Sequence, residues 1–398
     1  MHHEPLVRPL EPIWQAVIDR VLAPLARPSL TTSDVDRLGP KLLQLSQAYN
    51  AGEAEGRKTK LPIEARLAFS FPRDVPKGAA AVRELVASGA LALPEGRVLR
   101  VVDLGAGLGA MTWGLVRALE ASGASGKVEA ILVDEDAEVL RVAEAIAREA
   151  PLGRVTLAVR TRKASISNLD AKDASLTADV VMLGQVLSEL DVGVASEERV
   201  ARHADLLRRA GELVADDGSL VVIEPALRDR TRHLHAVRDR VLAGSTLGVF
   251  APCLHRLPCP TLREEHAWCH EDIPVDLPAW VVPLARAAGL RYQRLTFSYV
   301  VLRKDGKVLP RADFRVVSEL LASKGKAEVF ACTAGGERVR LRQLTREGTE
   351  AKGIPFTDLG RGDLVTVRLT DPGPDTPPAI ARGRLNPQVT IDVHTVRK

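Results

Sequence analysis

The chain has 398 residues, of which 45% are hydrophobic and 27% are charged. A chain of this length is expected to hold two or three domains, each large enough to bury its own core. No stretch approaches the roughly 18–20 apolar residues of a membrane span, so no membrane partner is expected. The formal net charge of +4 is too small to indicate nucleic-acid binding by itself. Arginine outnumbers lysine 42 to 13, which reflects either phosphate recognition or GC-rich coding.

The opening segment, MHHEPLVRPLEPIWQ, carries acidic residues early and has no apolar core. It therefore does not have the pattern of a secretory signal, and its acids are unusual for a transit peptide. These features predict a cytoplasmic protein whose cysteines are reduced.

Three regions with different patterns follow one another along the chain. Residues 1–80 predict a helical region, because apolar residues recur at three- and four-residue spacing. Residues 81–308 alternate short apolar strands with helical segments, which is typical of a parallel sheet covered on both faces. This second region contains a proline- and cysteine-rich insertion at about 245–275. Residues 309–398 consist of short alternating segments split by glycines and predict a small β-rich domain.

A glycine-rich loop joins the first predicted strand to the next helix. The segment VVDLGAGLGAMTWGL places Gly105, Gly107 and Gly109 in this loop, with Asp103 two residues before the first glycine. Glycines let the backbone approach a ligand, and the N-terminus of the helix offers free N–H groups. Asp134 ends the second strand, where a carboxylate can accept hydrogen bonds from both ribose hydroxyls of an adenosine ligand.

The form D-L-G-A-G resembles class I S-adenosylmethionine-dependent methyltransferases more than nicotinamide dehydrogenases. The resemblance implies a Rossmann-like α/β fold that binds S-adenosylmethionine. A Rossmann-like domain that binds a dinucleotide, or that has lost its ligand, is the alternative. The cofactor contacts predicted in this way are Asp103, Gly105, Ala106, Gly107, Gly109, Asp134 and Gln185.

The fourth predicted strand is followed by GQVLSELD, at the position that faces the methyl group in this fold. Gln185, Ser188 and Glu189 are candidate ligand contacts there. The segment lacks the Asn/Asp-Pro-Pro-aromatic turn of amino-group methyltransferases, and it has no cysteine for a covalent pyrimidine mechanism. The sequence therefore does not identify a catalytic base.

The chain has four unevenly distributed cysteines. Cys253, Cys259 and Cys269 lie within seventeen residues, and Cys332 lies sixty-three residues further on. Four thiolates are what a [4Fe–4S] cluster or a structural zinc ion needs. The spacing C-x5-C-x9-C favours an iron–sulfur cluster, because zinc sites usually contain a C-x2-C knuckle. Zinc, a disulfide and isolated buried cysteines are the alternatives.

With both sites in view, the chain resembles the mitochondrial-type small-ribosomal-subunit methyltransferase-like family. The segments that carry the resemblance follow the family's order: LAFSFPRDVPKGAAAVREL, DLGAGLGA, GQVLSEL, VVIEP, APC-x5-CP, WCH, FSYVVLRK and FRVVSELLASKGKAEVFACT. The resemblance implies that Cys253, Cys259, Cys269 and Cys332 hold a [4Fe–4S] cluster. It also implies the small ribosomal subunit and its rRNA as partners.

The charge pattern allows such a partner. From residue 303 to residue 352 there are twelve Lys or Arg against seven Asp or Glu. Five arginines also crowd the helix before the cysteines, where they form either a solvated face or phosphate contacts: Arg228, Arg230, Arg232, Arg238 and Arg240.

The leading hypothesis is an S-adenosylmethionine-binding assembly factor of the small ribosomal subunit. In this hypothesis a [4Fe–4S] cluster ties the insertion to the C-terminal domain through Cys332. A catalytically active rRNA methyltransferase and a zinc-containing nucleic-acid-binding protein without cofactor are the two alternatives.

Overall fold

A computed structural model describes residues 5–25, 33–51, 61–309, 312–347, 353–370 and 378–394. Two eight-stranded sheets organise these residues. Within the described ranges, no helix is both long and apolar enough to span a membrane.

The first sheet has five parallel strands in the order β3-β2-β1-β4-β5. Strand β8 lies antiparallel to β5, and β6 and β7 pair with its other edge. A doubly wound sheet with an antiparallel strand inserted near one edge is the class I methyltransferase arrangement, so the predicted fold class is confirmed. The strands are β1 (Leu99–Leu104), β2 (Gly126–Asp134), β3 (Val155–Lys163), β4 (Ala178–Gly184), β5 (Val214–Pro225), β6 (Gly248–Ala251), β7 (Glu271–Pro274) and β8 (Arg294–Arg303).

Helices cover both faces of this sheet. Because neighbouring strand residues point to opposite faces, Val101 packs in one helical layer and Val102 in the other. The first layer contains α1 (Ile13–Leu22), α2 (Ser33–Ala51), α3 (Phe71–Ala87), α4 (Ala110–Ala121), α5 (Ala137–Glu149) and α8 (Val282–Ala287). The second layer contains α6 (Ser196–Glu212) and α7 (Arg228–Ala243). The N-terminal helices therefore share one core with the sheet.

Helices α3 and α4 approach each other at two glycines. A Cβ atom on Gly114 would lie 2.4 Å from the carbonyl oxygen of Val75, and one on Gly78 would lie 2.8 Å from that of Met111. Neither contact leaves room for a side chain, so the two backbones touch directly. Since α4 begins directly after the glycine-rich loop, α3 fixes the position of that loop.

The second sheet has its own apolar core, which includes Val329, Leu341 and Val365. Its strands are β9 (Phe314–Val316), β10 (Leu321–Ser323), β11 (Lys326–Thr333), β12 (Arg338–Leu344), β13 (Leu364–Leu369), β14 (Ile380–Ala381), β15 (Arg384–Leu385) and β16 (Val389–Val393). These strands lie in the region predicted to be β-rich. The domain boundaries at residues 80 and 308 stay predictions.

A buried ionic network joins the two sheets. Arg315 of β9 donates to Glu84 of α3 over 2.6 Å and to Glu271 of β7 over 2.9 Å. The hydroxyl of Tyr299 donates to Glu84 over 2.6 Å, and Arg83 donates to Glu271 over 3.1 Å. All five side chains are buried. Burial raises the pKa of Glu271, but the charges of Arg83 and Arg315 outweigh it, so the pKa is lowered and the carboxylate stays ionised.

Candidate cofactor site and candidate metal centre

The glycine-rich loop between β1 and α4 requires glycine at three positions. Gly105, Gly107 and Gly109 have φ angles of 69°, 54° and 79°, in the left-handed region that other residues rarely adopt. A Cβ atom on Gly105 would also lie 2.6 Å from a methyl carbon of Val186. The loop therefore presents bare backbone at the carboxyl ends of the strands, where ligands bind in open α/β sheets.

Four backbone N–H groups of this loop already have acceptors within the protein. They are those of Gly105 and Ala106 to the carbonyl of Val133 (2.8 and 3.0 Å), of Gly107 to Asp134 Oδ2 (2.9 Å) and of Gly109 to the carbonyl of Ala106 (2.8 Å). These four N–H groups are therefore not free, and the free N–H groups expected at the N-terminus of the helix stay a prediction. The predicted ribose-binding carboxylate, Asp134, instead braces the loop itself.

Asp103 lies fully buried beneath the loop. One of its carboxylate oxygens accepts a hydrogen bond from the hydroxyl of Thr112 over 2.8 Å. The other oxygen has no donor among the described residues. Burial raises the pKa of Asp103 to about 7. A buried acceptor without a donor is the kind of group that a ligand cation completes.

The turn after β4 is held by a glutamate that sequence patterns did not single out. The carboxylate of Glu224 accepts the backbone N–H groups of Leu187 and Ser188 at 2.8 and 3.0 Å, and burial raises its pKa to about 7. The buried hydroxyl of Ser188 donates to the carbonyl of Gln185, while Glu189 is exposed.

Gln185 itself has a φ of 61°, a strained backbone for a residue with a side chain. Its N–H donates to the carbonyl of Ile223 over 2.6 Å, which anchors it to β5. Gln185 therefore stays a candidate cofactor contact, because strain of this kind clusters at ligand sites.

The four cysteines meet at one cavity between the two sheets. Cys253, Cys259 and Cys269 come from the insertion, and Cys332 comes from β11 of the second sheet. Burial raises the pKa of Cys259 to about 11 and that of Cys332 to about 12, and the charge of the neighbouring thiolates adds to both shifts. Arg315 of the buried network also lines the cavity.

Helix α7 supports the cysteine-bearing loop through its arginines. Arg232 donates to the carbonyl oxygens of Thr261, Leu262, Glu264 and Ala267 at 2.7–3.1 Å.

Arg238 of the same helix is fully buried and donates to the carbonyls of His255 and Leu257, and Arg230 is also buried. Neither a solvated face nor a phosphate contact therefore describes these three of the five arginines. Guanidinium groups that are buried or half-buried need several acceptors, and here the backbone of the cysteine-bearing loop supplies them to Arg232 and Arg238.

Two further side chains of α7 fix the loop. Asp239 accepts the backbone N–H of Cys259 over 2.8 Å, and His235 is hydrogen-bonded to the carbonyl of Cys269 at 3.1 Å. Burial lowers the pKa of His235 to about 4, so the imidazole is neutral at physiological pH. Sequence reasoning missed these residues because nothing in their spacing relates them to the cysteines.

Among the described residues, no group of three or more His, Cys, Asp or Glu side chains is arranged to hold a metal ion. The four cysteines nevertheless line one cavity, with three from the insertion and one from β11.

Comparisons with known proteins match the chain to one family. The model of the family described as "Mitochondrial small ribosomal subunit Rsm22" matches residues 66–355, which is more than half of the chain. No curated protein matches it. Because the family is described as mitochondrial, the expectation of a cytoplasmic location is wrong. The described part of the acidic opening segment, from residue 5, packs in the fold, since Glu11 is hydrogen-bonded to Arg117 and Trp14 is buried.

Solved structures give weaker likenesses. PH0851 has a TM-score of 0.34 at 16% identity, covering 56% of this chain and 46% of its own. The plantazolicin methyltransferase BpumL in complex with SAH has a TM-score of 0.34 at 9% identity, covering 68% of this chain and 98% of its own. NSun6 from Pyrococcus horikoshii with SFG has a TM-score of 0.35 at 14% identity, covering 57% of this chain and 52% of its own. The chain thus spans about half the length of two of these proteins, and no inference about its ligands follows from them.

Proposed function

Because the chain belongs to the Rsm22 family of the mitochondrial small ribosomal subunit, we propose that it is an assembly factor of that subunit. In this role it binds S-adenosylmethionine and holds a [4Fe–4S] cluster. The observation that carries the proposal is the convergence of four cysteines, from an insertion and a separate sheet, on one cavity. A site of this kind has the chemistry of a cluster and the position of a link between two parts of the protein.

The glycine-rich loop and its carboxylates support S-adenosylmethionine. In this proposal Asp134 receives the ribose hydroxyls in addition to bracing the loop, and the oxygen of Asp103 that lacks a donor among the described residues receives the α-ammonium group. When bound, the cofactor supplies a methyl group made electrophilic by its sulfonium. The buried Glu224 stabilises the turn after β4, because its carboxylate accepts the backbone N–H groups of Leu187 and Ser188.

The pH dependence of cofactor binding tests the role of Asp103. Its pKa of about 7 means that the ligand-free carboxyl loses its proton between about pH 6 and pH 8. Only the ionised form attracts an ammonium group, so the affinity for S-adenosylhomocysteine is expected to rise roughly tenfold over this interval. Isothermal titration calorimetry measures the change.

The control for this prediction is Asp103→Asn. Glu224 has a similar pKa and is unchanged in the variant, so any pH dependence of the affinity that Glu224 causes persists in the variant. The rise attributable to Asp103 is the difference between the two proteins. An equal rise in both would remove Asp103 from the binding site.

Four cysteine thiolates carry more negative charge than a [4Fe–4S] core neutralises, so cations near the cavity favour its binding. Arg238 and Arg315 supply them, since Arg315 lines the cavity and the Cys253 charge acts on Arg238. The cluster would join the insertion to β11 as a structural element. Metal binding releases the protons that the raised pKa values keep on the free thiols.

The second sheet offers a surface for rRNA. On the outer face of β11 and β12, the ring of Phe330 lies 3.9 Å from the guanidinium carbon of Arg338 and 5.0 Å from that of Arg340. Arg340 is exposed, whereas Arg338 also pairs with Glu264. Residues 310–311 and 348–352 of the basic stretch lie outside the described residues. An aromatic ring with neighbouring guanidinium groups suits RNA phosphates and bases.

Co-sedimentation with purified small ribosomal subunits tests the proposed partner. We expect wild-type protein to sediment with the subunit and to dissociate as salt rises, because phosphate contacts release counterions. Arg340→Ala should weaken binding and reduce the salt slope by about one. Arg141→Ala, on the exposed face of α5, is the matched control. Protein that stays at the top of the gradient at low salt would contradict the proposal.

A further inference from the structure

Arg66 lies beside the glycine-rich loop. The terminal nitrogen of its guanidinium is 3.4 Å from the position that a Cβ atom on Gly107 would occupy. The side chain is half-buried, and it forms no hydrogen bond or ion pair with any residue that the structure describes. Most other half-buried or buried arginines near the sheet have carboxylates or carbonyls as partners, as Arg315 and Arg232 do.

The backbone at Arg66 is also unusual. Residues Arg66–Ser70 form a π-helical turn that runs directly into α3, and the N–H of Phe71 donates to the carbonyl of Arg66. Single π-helical turns inside α-helices occur frequently at functional sites, because they move a side chain away from its regular position. Here the turn places a cation at the mouth of the loop.

The carboxylate of a bound S-adenosylmethionine needs donors, and four N–H groups of the loop cannot supply them. The N–H groups of Gly105, Ala106, Gly107 and Gly109 all donate to acceptors within the protein. Asp103 and Asp134 would repel the carboxylate, since both are acids. A guanidinium group binds a carboxylate through two parallel hydrogen bonds and is charged at every physiological pH.

We propose that Arg66 binds the carboxylate of the methionine part of S-adenosylmethionine. Asp103 and Arg66 would then recognise the ammonium group and the carboxylate group of the same amino acid. This assignment rests on the proposed binding of S-adenosylmethionine. It gives the chain a residue that selects the intact cofactor over adenosine compounds that lack the amino-acid part.

A pair of ligands tests the assignment by calorimetry. S-adenosylhomocysteine has the amino-acid part, and 5′-methylthioadenosine keeps the adenosine and sulfur but lacks it. Arg66→Ala is expected to weaken S-adenosylhomocysteine about 10- to 100-fold and to leave 5′-methylthioadenosine within about twofold. Arg66→Lys should give an intermediate loss, because it keeps the charge but not the two parallel bonds. Arg141→Ala, on exposed α5, should change neither ligand.

The unaffected binding of 5′-methylthioadenosine shows that the variant is folded. Equal losses for both ligands in Arg66→Ala and Arg66→Lys would assign Arg66 a structural role and overturn the proposal, as would unchanged binding of both. If wild-type protein binds neither ligand, the proposed cofactor fails and this assignment fails with it. If wild-type protein binds both ligands but Arg66→Ala does not selectively weaken S-adenosylhomocysteine, the proposed cofactor stands and Arg66 is excluded as the partner of the carboxylate.

Discussion

Replacing Arg315 by alanine is expected to lower the free energy of unfolding by about 3–5 kcal/mol. The side chain is 3% exposed and pairs with Glu84 of α3 and with Glu271 of β7. Its removal leaves the buried Glu84 without its guanidinium partner and leaves the buried Glu271 with Arg83 as its counter-charge. The loss is large because a buried charge cannot be solvated when its partner disappears. Urea unfolding at pH 7.5 measures it.

Arg294→Ala is the matched control for this prediction. Arg294 pairs with Asp272 at 2.7 Å but its side chain is 41% exposed, so its removal should cost less than about 1 kcal/mol. Adding Glu84→Gln to the Arg315→Ala protein should restore part of the stability, because one uncompensated charge is removed. If Arg315→Ala is as stable as Arg294→Ala, the network does not join the sheets energetically.

Replacing Cys332 by serine is expected to remove the cluster and to loosen the contact between the insertion and the second sheet. Of the four cysteines that line the cavity, Cys332 is the one that lies outside the insertion. Since metal-binding energy contributes to folding, its loss should expose the loop between Cys253 and Cys269 to proteases. Absorbance of anaerobically purified protein and limited proteolysis measure the two effects.

Chelation of the wild-type protein provides the internal control. It should reproduce the proteolysis pattern of Cys332→Ser, and it should add nothing to the pattern of the variant. A variant that keeps full cluster absorbance and the wild-type cleavage pattern would show that Cys332 is not a ligand.

Local patterns in the sequence predicted the parts of the fold that local physics determines. The central strands β1 and β4 are near-continuous apolar runs, and the alternation of strands with helices indicated a parallel sheet covered on both faces. Gly105, Gly107 and Gly109 could be placed because a positive φ leaves little choice of residue.

The remaining features depend on pairs of residues far apart in the chain. Arg315 meets Glu84 across 231 positions, and a single sequence carries no signal that links them. The positions of the α7 arginines were hidden for the same reason. Charged residues on a helix usually indicate a solvent-exposed face, and only the structure shows that the cysteine-bearing loop covers this face. The acceptors of the loop N–H groups were equally hidden, and Arg66 could not be singled out without them.

The candidate metal centre could be predicted from the sequence only in part. The count of four cysteines and the remoteness of Cys332 indicated a shared site from sequence alone. The structure adds that the four cysteines line one cavity between the sheets. It also shows that α7 is hydrogen-bonded to the loop that carries three of them. The metal itself stays a proposal.

Iron and acid-labile sulfide in anaerobically purified wild-type protein test this proposal most directly. A [4Fe–4S] cluster predicts about four iron and four sulfide per chain, with little zinc and with loss of both in Cys332→Ser. One zinc per chain without sulfide, or no metal at all, would contradict the account of the four cysteines as a cluster that joins the two sheets.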